Sequence, residues 1–67
     1  MAARSTREKI RWNVGRASER IEQALASLKH VEELGDGRSQ LINEHLPEIV
    51  LALEVCRHTL LAFREEL

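Results

Sequence analysis

Sixty-seven residues with one cysteine hold one small domain, with no intrachain disulfide and no cysteine-rich zinc site. Below about 70–80 residues a single core seldom supplies more than about 3–5 kcal/mol, so such chains usually lean on a metal, a disulfide or a partner. Leu, Ile, Val and Phe make up 19 residues and the net charge is only −1, which excludes a disordered tail.

Met1–Arg7 lacks the apolar stretch of a signal peptide, and no apolar run reaches the roughly 18–20 residues that span a bilayer. The expected location is the cytoplasm, with no membrane partner. Ser5-Thr6-Arg7-Glu8 then has the form of a capping box: Ser5 accepts from the amide of Glu8 while the Glu8 side chain returns to the amide of Ser5. A first helix is therefore expected over about 6–34. It carries Ile10, Val14, Ala17, Ile21, Ala24, Leu28 and Val31 at alternating steps of 4 and 3. Gly15 is its weak point, at about 1 kcal/mol relative to alanine.

Leu34-Gly35-Asp36-Gly37 punctuates the chain. Gly35 suits a left-handed position after the helix, and Asp36 is a plausible cap for the next one. The turn is expected at 35–37 and a second helix over about 37–66. Its seam reads Ile42, Leu46, Ile49, Leu53, Cys56, Leu60, Phe63 and Leu67, with the same alternation. Pro47 removes one hydrogen bond and predicts a kink on the outer face. The alternative is a short helix near 38–45 followed by a second one.

Folding at Gly35–Asp36 brings the two seams together antiparallel. Val31 then faces Ile42, Ala24 faces Ile49, Ala17 faces Cys56 and Ile10 faces Phe63, every pair summing to 73 or 74. The fold class is all-α, an antiparallel helical hairpin of two long helices. Helix 2 has apolar residues beyond one seam, notably Leu41, Val50, Leu51, Val55 and Leu61. These are the candidate oligomer interface, because leaving them wet forfeits burial at about 25 cal/mol per Å². A homodimer forming a four-helix bundle is the first expectation, with a trimer, a tetramer or another protein chain as alternatives.

No constellation for catalysis emerges. His30, His45 and His58 do not cluster. A His30/His45 pair lacks a nearby cysteine, and no carboxylate precedes a histidine by three residues as di-iron bundles require. Cys56 falls on the seam as a small buried hydrophobe. No enzyme activity, cofactor or metal is expected. Charge is more telling: residues 1–20 hold six basic and two acidic groups, net +4, and residues 21–67 hold four and nine, net −5. Arg4, Arg7, Lys9, Arg11, Trp12, Arg16 and Arg20 form a candidate patch for a nucleic acid or another partner, with Lys9, Trp12, Arg16 and Arg20 on one outer face. The structural alternative is mutual neutralisation: these cations and Glu65 and Glu66 each oppose a helix dipole, and the hairpin sets them side by side. The expected function is a non-catalytic oligomerisation or protein-interaction module. The alternative is a dimeric nucleic-acid-binding regulator.

Overall fold

Ser5 opens the first helix by accepting a hydrogen bond from the Glu8 amide at 3.1 Å, as the capping box predicts. The computed structural model describes residues 5–67. It contains helix α1, Thr6–Gly35, and helix α2, Gln40–Glu66, packed against each other as a hairpin. Arg7 donates from Nε to the Leu67 carbonyl oxygen, tying the start of α1 to the end of α2.

The turn is built differently from the sequence expectation. Gly35 is the last residue of α1, and Asp36 takes the left-handed conformation with φ 51°, its amide reaching the carbonyls of Glu32 and Glu33. Gly35 packs closely on α2: a Cβ there would stand 3.0 Å from the Ile42 Cδ1 methyl, which would have to shift by a few tenths of an ångström. Gly37, at φ 70°, supplies the second left-handed residue. Ser39, not Asp36, caps α2 by accepting from the Ile42 amide at 3.3 Å. Asn43 braces the turn by donating from Nδ2 to the Gly37 carbonyl at 3.0 Å. The second helix therefore starts at Gln40, three residues later than position 37.

Pro47 lies inside an unbroken α2 and is exposed, so the chain absorbs the missing bond without starting a new helix. The seam itself is turned. Ile49 and Phe63 are 47% and 46% exposed and Cys56 is exposed, while Val50, Arg57 and Arg64 are half-buried in their place. On α1, Arg11, Ser18 and Leu25 join Val14, Ile21 and Leu28 in the contact, and Ile10 and Val31 face outward. Each helix is turned about its own axis by part of a residue step from the expected seam, so that Ala17 and Ala24 stay half-buried beside Ser18 and Leu25. The aliphatic stems of Arg57 and Arg64 cover the seam. Their Nε groups lie buried there without a hydrogen-bond partner among the described residues.

The core is thin. Among the described residues Leu46, 7% exposed, is the buried hydrophobic side chain, and Ser18, 6% exposed, is the buried polar one; its hydroxyl donates to the Gly15 carbonyl at 2.8 Å. The shortest dimension of the hairpin is 12 Å, the thickness of one helix. Gly15 tolerates a side chain: a Cβ would come to 3.4 Å from Cζ of Arg64, the flexible end of a long side chain. Gly15→Ala should therefore stabilise the hairpin by about 0.5–1 kcal/mol through helix propensity. That corresponds to a melting temperature higher by roughly 3–6 °C in circular dichroism. An unchanged or lower melting point would mean that Arg64 cannot yield.

Candidate functional site

The rotation of the two helices has one geometric result. Because they run in opposite directions, advancing by one residue on each turns both toward the same side of the pair. The exposed residues Ile10 and Val31 of α1 and Ile49, Cys56 and Phe63 of α2 therefore fall toward the other side. At the turn end Val31 and Ile49 meet in an open groove there, lined also by Leu28, Leu41, Ile42, His45 and Leu46. Val31, Leu41 and Ile49 are 38%, 71% and 47% exposed, so this side is a wide apolar surface in contact with nothing.

The opposite side of the hairpin carries an ion pair between the helices. Arg57 donates to Glu22 across the helices at 2.6 Å, an ion pair worth about 0–1 kcal/mol in so exposed a setting. Toward the turn, Glu32, Asn43 and Pro47 line a second groove with Ile42, Leu46 and Val50. That second groove is itself mostly apolar, so charge on this side is concentrated at the Arg57–Glu22 pair.

The candidate oligomer residues divide between three places. Leu41 lies on the open apolar face. Val50 is half-buried at the hairpin contact and lines the second groove with Glu32, Asn43 and Pro47. Leu51 and Val55, 62% and 57% exposed, border a shallow depression with Glu54, Arg57, His58 and Thr59, and Leu61 is 36% exposed. Sequence reasoning assigned Ile10, Val31, Ile49 and Phe63 to the contact within the hairpin and so missed the face they form. The signal was present as doublets. Ala24-Leu25 and Ile49-Val50 each offer an apolar residue to either side of the seam.

The basic candidates are also divided. Arg4 lies outside the described residues. Arg7 is held by the Leu67 carbonyl and Arg11 is half-buried between the helices. Lys9, Arg16 and Arg20 are exposed. Trp12 is 52% exposed and carries the Arg16 guanidinium 4.9 Å above its ring centre, a stacking worth about 0.5–1 kcal/mol on a wet surface. That stack, one helical turn apart, already employs both side chains within α1.

Among the described residues no three His, Cys, Asp or Glu side chains converge as a metal site would need. Cys56, read from the sequence as buried, is exposed on the apolar face, because Arg57 takes the seam position next to it. Among the described residues no helix is long and apolar enough to cross a membrane. Comparison with protein-family models, with curated proteins and with solved structures finds no match for this chain.

Proposed function

We propose that this chain is a non-catalytic assembly module whose open apolar face closes on a second copy to form a four-helix bundle. The observation that carries the reading is the apolar side of a hairpin only one helix thick. In a four-helix bundle each helix turns its apolar stripe toward a corner, half to its neighbour in the layer and half to the facing layer. The turned seam fits that arrangement with one layer present: Val14, Ile21 and Leu28 are half-buried, and Ile10 and Val31 are exposed, with half-buried Ala17 and Ala24 between them. A face about 45 Å long, from 30 residues of helix at about 1.5 Å each, and 20 Å wide offers on the order of 900 Å². Stable interfaces use about 800 Å² per partner. Another helical protein docking on the same face is the variant of this reading.

Sedimentation velocity at micromolar concentration should give a species of twice the 7.7 kDa chain mass. A well-folded monomer under those conditions would overturn the proposal.

The rival reading, a nucleic-acid-binding regulator, is favoured by the exposed Trp12–Arg16 pair beside Lys9 and Arg20. It predicts binding that weakens steeply with salt, by roughly two to four decades between 50 and 200 mM for about four to eight phosphate contacts. It also predicts a change in Trp12 fluorescence as a base stacks on the ring. Arg16→Glu with Arg20→Glu should then abolish binding and leave the hairpin folded. The assembly reading expects neither RNA nor DNA to bind in a salt-steep manner, and a filter-binding titration in two salts separates the two.

A further inference from the structure

Resting on the assembly reading, we infer that the two copies stack turn over turn, with α1 of each lying against α2 of the other and both turns at the same end. A twofold pair of flat hairpins has two ways to meet face to face. In one the axis runs along the helices, and α1 meets α2 of the second copy at the same level. In the other the axis crosses the helices at mid-length, and each helix meets its own copy head to tail.

Three observations favour the first. Ile10, Ile49 and Phe63 stay 41%, 47% and 46% exposed within one chain. Turn-over-turn stacking sets Ile10 of one copy near the level of Phe63 of the other, at opposite ends of the two helices that meet, and covers both. Head-to-tail stacking about the middle of α1 sets Ala17 against Ala24 and brings exposed Arg20 beside its own copy, a like-charge contact on a closing surface.

The second observation is at the turn. Leu34 and Leu41 are 73% and 71% exposed, the wettest large hydrophobic side chains among the described residues. Both stand at the turn end of the molecule, Leu41 in the wall of the apolar groove. Turn-over-turn stacking places Leu34 of each copy at the level of Leu41 of the other and covers both. Third, Glu32, an acid of the turn end, lines the groove on the opposite side, so apposing the two turns does not appose that charge.

The test uses the full chain carrying Cys56→Ala and Arg38→Cys, with a nitroxide on the new thiol at the exposed turn tip. Light scattering on the same sample gives its mass. In turn-over-turn stacking the two labels lie across one bundle end, within about 30 Å given helix spacings of about 8–10 Å. Head-to-tail stacking separates them by about 45 Å or more, the length of α1. A dimer with the long distance overturns the stacking and leaves the assembly reading intact. A folded monomer without intermolecular coupling overturns both. Lys9→Cys in the same Cys56→Ala background, labelled at the other end, must give the same short distance, and it decides the matter if the turn label disturbs folding.

Discussion

Leu46→Ala should unfold this chain under conditions in which the parent is folded. Leu46 is the most buried hydrophobic side chain of the hairpin, at 7% exposed, and lies at the wall shared by the two grooves. Removing a buried leucine side chain to the β-carbon costs about 2–5 kcal/mol, part lost transfer energy and part cavity. A domain of this size has about 3–5 kcal/mol in total to lose. Helicity measured by circular dichroism at 25 °C should fall sharply, and any residual transition should be broad and cold. A melting curve that overlays the parent would show that the helices are held together elsewhere.

The second large effect concerns association. Ile49→Asp together with Phe63→Asp places two carboxylates on the open apolar face, where both parent side chains are about half exposed in the single hairpin. In the bundle each would be an unpaired charge in an apolar interior, at a cost of several kcal/mol apiece. Dissociation should be favoured by at least about a hundredfold, since 1.4 kcal/mol is a factor of ten. Sedimentation at micromolar concentration should then show the monomer alone. Leu51→Asp with Val55→Asp is the matched control. Those side chains are 62% and 57% exposed on the other flank of α2, and the assembly should survive their replacement. If the control dissociates the chain and the first pair does not, the contact surface is the outer side of helix 2.

Both effects depend on the same distinction between adjacent columns of residues. Leu46 could be named as core from the chain alone, because it stays in the seam under either rotation of the helix. Ile49 could not, since its neighbour Val50 is an equally good hydrophobe one position on. Cys56 and Phe63 were legible as apolar seam residues, yet Arg57 and Arg64 hold those places with their stems. A residue-type reading rates arginine as surface and does not see that its methylenes fill a narrow seam while its head reaches water. The basic stripe divided for a related reason. By charge alone Arg7 and Arg11 look like free cations, but position 7 meets the end of α2 and position 11 falls between the helices.

By itself, the sequence determined that there are two helices packed as a hairpin, that Ser5 opens the first and that the chain reverses around Gly35–Gly37. Those properties are local or periodic: caps and turns act over four residues, and helix periodicity repeats every turn. Which column of each helix faces the other was decided only by tertiary packing. A repeat of seven returns both candidate columns to the same side at every second turn, so the pattern is unchanged when each helix rotates by one residue. The choice between them rests on how side-chain volumes and arginine stems fit across one line of contact. It is that fit which leaves one side of the hairpin apolar and open.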